Sequence, residues 1–292
     1  MHAKSRLLWI ALAASMILPK IVRAQERPIV IRATTLIDGK GGVMRNVSIV
    51  VQETRITQIG ASAQVATYDL KGLTVMPGWI DTHVHMDTHF DPNGKSHSPA
   101  SAKDETPQQT MLYAVGNAYN VLMAGFTTVQ SVGAPLDRDL RNAIARGTIP
   151  GPRLLTSLRP VDETTGTPEQ IRGFVRQVVS QGADLIKVFA TKSIREGGGP
   201  SLTQAQVDAA CGEARSLGKR AIVHAQGPEG ARAAVLAGCS SVEHGYRLTD
   251  DVLDLMAQHG TYYDPNFGLL LHNYVMKGGK VYKNIAGRTT GN

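Results

Sequence analysis

Two patterns of hydrophobic and polar positions divide most of the chain. Between residues 28 and 76, short runs rich in Val and Ile alternate with turn residues such as the Asp-Gly pair at 38–39. This pattern is typical of β-strands joined by tight turns. We therefore expect residues 25–76 to form part of a small β-sandwich. Its predicted strands are 29–33, 47–51, 55–59 and 74–76.

From residue 77 onward, apolar runs of strand length alternate with segments whose apolar residues recur at helical spacing. Helix starts carry capping signals: Thr167 precedes Pro168, and Gln170 follows two residues later. The alternation predicts parallel strands joined by right-handed helical crossovers, either in a (β/α) barrel or in an open sheet. The predicted strands are 75–86, 126–132, 153–157, 184–190, 220–225, 241–244 and 261–265, and the predicted helices are 111–123, 138–146, 167–181, 201–217, 228–236 and 250–259.

The first of these strands ends in two histidines. His83 and His85 share one face of an extended strand, because successive side chains point to opposite faces. Two imidazoles on one face form half of a metal site. Two incidental histidines on an ordinary strand are the alternative explanation.

Three later strands each supply one more candidate ligand. Lys187 lies in the apolar run 185–189, where burial penalises an ammonium and lowers the lysine pKa. His224 and His244 lie late in the fifth and sixth strands. Each histidine alone is better explained by an ordinary hydrogen bond, whereas candidates at four strand ends together favour a common site. Such ends converge at one mouth of a barrel, so we predict a barrel and not an open sheet.

A neutral buried lysine has a nucleophilic amine that reacts with carbon dioxide to give a carbamate, an anionic ligand able to bridge two cations. The alternative is a lysine in a salt bridge at the rim, a role that we assign to Lys192. Other histidines are predicted to lie in loops or helices and to bind no metal: His89, His97, His259 and His272.

Residues 1–24 are predicted to be a signal peptide. Lys4 and Arg6 precede a mostly apolar run at 7–18, which is shorter than the roughly 20 residues of a spanning helix, and Ala24 ends a typical cleavage site. We therefore expect an exported protein, periplasmic or secreted, without membrane attachment after cleavage; a retained anchor is the alternative. Four cations in this segment account for most of the net charge of +7, so no nucleic-acid partner is predicted.

The chain has two cysteines, Cys211 in a helical pattern and Cys239 at a strand entrance. We expect two buried free thiols. Oxidation of the pair in an exported protein is the alternative.

The sequence resembles the metal-dependent amidohydrolase superfamily, in its Xaa-Pro dipeptidase and imidazolonepropionase-like branch. The resemblance rests on Pro-Gly-Trp-Ile-Asp-Thr-His-Val-His at 77–85, the lysine of the fourth strand and Val-Glu-His-Gly at 242–245. It covers nearly everything after residue 28 and implies a (β/α)8 TIM-like barrel over residues 77–292. It also implies that His83 and His85 bind one divalent metal, that His224 and His244 bind a second, and that carboxylated Lys187 bridges them; the expected metals are two zinc ions.

The same family pattern requires a metal-binding Asp at the end of an eighth strand, where it would act as the general base. No such strand is recognised before Asn292, and residues 277–292 are not expected to form a closing element. Asp264 lies on the seventh strand and is not assigned this role. The resemblance therefore implies a barrel without its last strand, in a chain truncated at its C-terminus.

The implied activity is hydrolysis of an amide C–N bond in a small molecule or dipeptide. Tyr246, just after the sixth strand, is a candidate hydrogen-bond donor to the oxyanion, and Asp81 is a candidate for orienting a metal ligand. Packing at the rim explains Tyr246 equally well, and hydrogen bonding to backbone groups explains Asp81. Two other functions stay open: a mononuclear hydrolase of cyclic amides or deaminase with uncarboxylated Lys187, and a catalytically silent chain. A homo-oligomer is an assembly that the sequence allows.

Overall fold

A computed structural model describes residues 27–61, 64–99 and 101–266, and the backbone of residues 274–277 and 280–284. The chain divides into two compact units, one ending at Pro77 and the other beginning at Gly78. The predicted signal peptide and His272 lie outside the described residues. Across the described part of the chain, no helix has the length and apolar character needed to cross a bilayer.

The N-terminal unit contains one four-stranded sheet. Its strands are β1 (Ile29–Ile37), β2 (Val43–Gln52), β3 (Arg55–Gly60) and β4 (Tyr68–Val75), in the order β3-β2-β1-β4. β2 pairs antiparallel with β1 and β3, while β4 runs parallel to β1. Leu36, Val47 and Ile49 form the buried cluster of this unit. The sandwich stays a prediction, since the described residues of this unit form a single sheet.

The turn between β1 and β2 is held by an aspartate side chain. Asp38 Oδ1 accepts hydrogen bonds from the backbone N–H of Lys40 at 2.7 Å and of Gly42 at 2.9 Å. Gly39 and Gly41 adopt φ values of 72° and 96°, which glycine tolerates because it has no Cβ. These interactions explain why the Asp-Gly signal in the sequence marks a hairpin turn.

The second unit alternates strands and helices. Its strands are β5 (Trp79–Val84), β6 (His89–Phe90), β7 (Ser96–His97), β8 (Phe126–Ser131), β9 (Arg153–Thr156), β10 (Leu185–Phe189), β11 (Arg220–Ala225), β12 (Ser241–His244), β13 (Tyr262–Asp264), β14 (Tyr274–Lys277) and β15 (Lys280–Asn284). Its helices are α1 (Pro107–Met123), α2 (Asp137–Ala145), α3 (Pro168–Ser180), α4 (Gln204–Ser216), α5 (Pro228–Leu236) and α6 (Asp250–His259). All seven predicted parallel strands and all six predicted helices are present.

The parallel strands follow one another in chain order. β5, β8 and β9 form one sheet, and β10 to β13 form another. The N–H of Asp184 donates to the carbonyl of Thr156 at 2.8 Å, which links the two sheets. Among the described residues β13 does not pair with β5, and a side-chain hydrogen bond between Thr82 and Asp264 joins these strands. The fold is therefore mixed α/β, and the described strands do not close a barrel.

The backbone near the C-terminus forms a separate hairpin. β14 and β15 pair antiparallel with each other, and within the described backbone they pair with no other strand. The expectation that residues 277–292 supply no closing element stays a prediction, since residues 278–279 and 285–292 lie outside the described part of the chain.

Helices α3 to α6 pack against one face of the strands β10 to β12. Thr167 caps α3 by accepting from the N–H of Gln170, as its sequence predicted. Along β10, Ile186 and Val188 pack in the cluster under the helices, whereas Leu185 belongs to a cluster on the opposite face. We call this opposite face the inner face. Strand alternation places every second residue there.

Two expectations for the second unit are wrong. His89 and His97, assigned to loops or helices, lie in the antiparallel pair β6 and β7, and their rings stack with centroids 5.3 Å apart. Asp91 forms the turn between them, because its Oδ1 accepts from the N–H groups of Asn93 and Lys95. His259 lies in α6, as predicted.

The expectation of two free thiols is also wrong. Cys211 and Cys239 form a disulfide, with their Cα atoms 5.2 Å apart, and both residues are buried. Arg215 donates to the carbonyls of Ala237 and Gly238, so α4 also contacts the turn after α5 through hydrogen bonds. The sequence pattern predicted that both cysteines are buried, but it did not predict that they meet. The packing of α4 beside the turn after α5 brings the two sulfur atoms together.

The disulfide is expected to stabilise the second unit. It closes a loop across a separation of 28 residues, and the loss of that constraint should lower the free energy of unfolding by about 3–4 kcal/mol. We expect this decrease in the double variant Cys211→Ala, Cys239→Ala, measured by urea denaturation. Reduced wild type is the control and should match the variant. Two titratable thiols in unreduced, denatured wild type would contradict the prediction.

Candidate metal centre

Lys187 lies at the centre of the candidate site, on the inner face of β10. Its side chain is completely buried, at 0% exposure. The Nζ atom lies 3.4 Å from His83 Nε2 and 5.2 Å from the centre of the Phe189 ring. Because its neighbours Ile186 and Val188 pack under the helices, strand alternation directs the Lys187 side chain inward.

The surroundings of Lys187 lower the pKa of its amine. Burial lowers the pKa of Lys187 to about 8, and the carboxylates of Glu243 and Asp264 act in the opposite direction. A buried amine with a lowered pKa is neutral in a larger fraction of molecules and is a better nucleophile. The amine therefore has the chemistry that carboxylation requires.

Four histidines lie close to this lysine. The His83 ring centre is 5.5 Å from that of His85 and 5.0 Å from that of His244, and the His224 and His244 rings are 4.5 Å apart. The side chains of His83, His224 and His244 are buried, whereas His85 is exposed. The fold thus brings all five residues singled out as metal ligands to one place.

The three buried imidazoles favour the neutral form. Burial lowers the pKa of His224 to about 4 and that of His244 to about 3. Burial also lowers the pKa of His83 far below its usual range, and the neighbouring Lys187 acts in the same direction. Neutral imidazoles carry the nitrogen lone pairs that bind metal ions.

Unpartnered nitrogen atoms test whether these residues fit a metal ion. His224 Nε2 and His244 Nδ1 are buried and have no hydrogen-bond partner. An unsatisfied buried polar atom costs about 1–3 kcal/mol, which coordination to a cation would offset. In the described residues no three His, Cys, Asp or Glu side chains are spaced as in a metal shell, and the Lys187 amine contacts the His83 nitrogen that would face an ion. The unpartnered imidazole nitrogens have the donor chemistry that a divalent cation needs.

The backbone is strained at the end of β12. His244 adopts a φ of 73°, which is uncommon for a residue with a side chain, and Gly245 follows with a φ of 59°. The Tyr263 hydroxyl donates to the carbonyls of both residues, at 3.0 Å and 3.2 Å. A Cβ on residue 245 would lie 2.6 Å from the Tyr263 ring, so glycine is needed there. Strain of this kind persists where the surroundings hold it in place, often at functional sites.

Tyr246 extends this turn toward the histidines. Its ring centre lies 5.9 Å from that of His244, and its hydroxyl is buried without a partner. Burial raises the pKa of Tyr246, so the phenol stays protonated and can donate a hydrogen bond. The unpaired hydroxyl is compatible with the predicted oxyanion donor.

The two aspartates considered from the sequence contact other groups. Asp81 Oδ1 accepts from the backbone N–H of His83 at 3.0 Å, which is the backbone role considered for it. Asp264 bonds to Thr82 and accepts from the N–H of Asn266 at 3.2 Å.

The sequence reasoning missed two buried polar residues that lie beside candidate ligands in the chain. Glu243 is 1% exposed and lies 2.7 Å from His83 Nδ1 through its Oε2 atom. Gln226, two residues after His224, is 3% exposed, and its Oε1 atom has no partner. The available signal for Glu243 was an acid within a buried strand, directly before a candidate ligand.

Comparison with known proteins identifies the family. The model of the amidohydrolase family matches residues 74–282. The chain belongs to the amidohydrolase family. The resemblance inferred from the sequence motifs is therefore confirmed.

Relatives of this amidohydrolase include ochratoxinase from Aspergillus niger, 24% identical over 84% of this chain and 62% of that protein. Imidazolonepropionase from Micrococcus luteus is 27% identical over 79% of this chain and 64% of that protein. This chain thus spans less than two thirds of the length of these curated relatives.

Solved structures show the same fold. The crystal structure of a Xaa-Pro dipeptidase with bound methionine in the active site matches with a TM-score of 0.74 and 31% identity, covering 83% of this chain and 67% of that one. The crystal structure of A. niger ochratoxinase matches with a TM-score of 0.72 and 21% identity, over 84% and 66% of the two chains. These neighbours support the branch predicted from the sequence and the barrel-type arrangement of the strands.

Proposed function

We propose that this amidohydrolase hydrolyses an amide C–N bond of a small molecule or dipeptide at a binuclear zinc site. The cluster around Lys187 carries the proposal: a completely buried amine contacts His83 within a group of four histidines at strand ends. His83 and His85 would bind one ion, and His224 and His244 would bind the other. Carboxylated Lys187 would be a ligand of both ions. Bound ions of this kind lower the pKa of a water ligand to near 7 and polarise the scissile carbonyl.

The lowered pKa of Lys187 supports the proposed carboxylation. The neutral amine attacks dissolved carbon dioxide, an N–C bond forms and one proton is released, which leaves a carbamate anion. The pKa of about 8 leaves a useful neutral fraction of this amine near neutral pH. The resulting anion would offset part of the cationic charge brought by two ions.

Tyr246 is proposed to stabilise the oxyanion that forms at the substrate carbonyl. Its hydroxyl is protonated, buried and without a partner, so donation to a substrate oxygen would satisfy it. The relatives support the substrate class, since the structure with 31% identity is a Xaa-Pro dipeptidase. The imidazolonepropionase relative keeps a mononuclear hydrolase of cyclic amides as the second candidate.

Export of the protein is proposed on two grounds. The N-terminal 24 residues carry the features of a signal peptide. The disulfide between Cys211 and Cys239 is of the kind that persists in oxidising compartments.

Metal analysis tests the binuclear site. We expect about two zinc ions per wild-type chain, and about one or none in Lys187→Ala, because this variant cannot form the shared ligand. Acetate added to Lys187→Ala should restore part of the metal content by supplying the missing carboxylate. Lys192→Ala is the matched control, since Lys192 pairs with Glu163 at the surface. The measurement is mass spectrometry of metals in dialysed protein, beside circular dichroism to verify folding.

Metal content and activity together distinguish the binuclear hydrolase, the mononuclear hydrolase and the catalytically silent chain. One ion in wild type, unaffected by Lys187→Ala, would favour the mononuclear hydrolase. Two ions without hydrolysis of a panel of Xaa-Pro dipeptides, N-acyl amino acids and cyclic amides would favour the catalytically silent chain. Equal metal loss in Lys187→Ala and Lys192→Ala would contradict the role of Lys187.

Steady-state kinetics test Tyr246. In Tyr246→Phe we expect kcat to fall about 100-fold with little change in KM, because the lost hydrogen bond forms mainly in the transition state. Tyr262→Phe is the control, since Tyr262 is 77% exposed. Unchanged kcat in Tyr246→Phe would instead show that this side chain only packs at the rim.

A further inference from the structure

A buried carboxylate crosses the inner side of the strands to reach a candidate metal ligand. Glu243 lies on β12, yet its Oε2 atom is 2.7 Å from Nδ1 of His83 on β5. Its Oε1 atom accepts a hydrogen bond from the Ser241 hydroxyl at 2.5 Å. Both carboxylate oxygens are thus engaged, and the residue is 1% exposed.

This contact bears on which nitrogen of His83 carries a proton. Burial raises the pKa of Glu243 to about 7, while Lys187 and the Ser241 hydroxyl act in the opposite direction. The ionised carboxylate only accepts hydrogen bonds, so in that form Nδ1 of His83 is the donor. The Nε2 atom then keeps its lone pair, which faces the Lys187 amine at 3.4 Å. The amide nitrogen of Asn266 also approaches Nδ1, but at 3.5 Å it is much farther away than the carboxylate.

The position of β5 explains why His83 needs such a partner. β5 pairs with β8 on one side, and among the described residues no strand pairs with its other side. On the paired side, Gln130 donates to the backbone carbonyl of Thr82 at 2.9 Å and accepts from Arg220 at 2.7 Å. The backbone is therefore held from β8, and the His83 ring is held from β12.

We propose that Glu243 is a positioning residue that selects the Nδ1–H tautomer of His83 and so directs Nε2 toward a bound metal ion. The inference rests on the proposed metal site but concerns a residue outside the ligand set. A hydrogen-bonded partner behind a histidine ligand orients the ring and increases its basicity, and its loss typically weakens metal affinity 10–100-fold.

Zinc affinity and ring NMR test this role together. In Glu243→Ala we expect zinc affinity to fall about 10–100-fold, measured with a competing chelator on dialysed protein. In Glu243→Gln we expect a smaller loss, because the amide oxygen still accepts from Nδ1. Glu213→Ala is the control, since Glu213 pairs with Arg176 at the surface, and it should bind zinc like wild type.

Nitrogen-15 NMR of the metal-free protein reports the tautomer directly. Wild type should show His83 with a protonated Nδ1, assigned by the signal that disappears in His83→Asn. Glu243→Ala should shift this ring toward protonated Nε2. Retention of the Nδ1–H tautomer, or of wild-type zinc affinity, in Glu243→Ala would overturn the inference. If Glu243→Ala does not fold, the same two measurements are made on Glu243→Leu, whose side chain fills the space but has no acceptor; the wild-type tautomer or wild-type zinc affinity in that variant would overturn the inference.

The two proposals fail in different ways. Absence of zinc binding by wild type would remove the proposed function, whereas the tautomer of the metal-free protein would still show whether Glu243 sets the protonation of His83.

Discussion

The burial of the Lys187 amine is the constraint on which the site depends. A lysine that is completely enclosed must lose its charge, find anions or become an anion itself. The imidazole of His83 lies 3.4 Å from the Lys187 amine, and Glu243 and Asp264 raise the pKa of that amine against the effect of burial. Burial thus lowers the pKa of the Lys187 amine and the pKa values of the four histidines together.

Parallel strands give this arrangement its geometry. Because alternate side chains of β10 point away from the helices, the residue between Ile186 and Val188 has to face inward. The ends of β5, β11 and β12 meet the same inner space, so their histidines collect around the lysine. Helices α3 to α6 stabilise this arrangement by packing against strands β10 to β12.

Membership of the amidohydrolase family and the local chemistry support each other. The family model covers residues 74–282, a stretch that contains all five proposed ligands and Tyr246. The chain spans about 62% of the ochratoxinase relative, so the activity of the whole protein rests on the proposal and its tests. The contact between His83 Nδ1 and Glu243 adds a structural element that the ligand set alone does not contain.

Local patterns in the sequence determined the seven parallel strands, the six helices and the five side chains that meet, because period-two and period-3.6 spacing depends only on neighbouring residues. The capping box at Thr167 is one such local signal. Only the tertiary structure decided that Cys211 meets Cys239, that His89 and His97 pair in a hairpin, and that Glu243 reaches His83. Glu243 and His83 are 160 residues apart, and their contact arises from the curvature and register of separate strands. No local spacing in the sequence encodes such a contact, since the packing of whole strands and helices brings the two residues together.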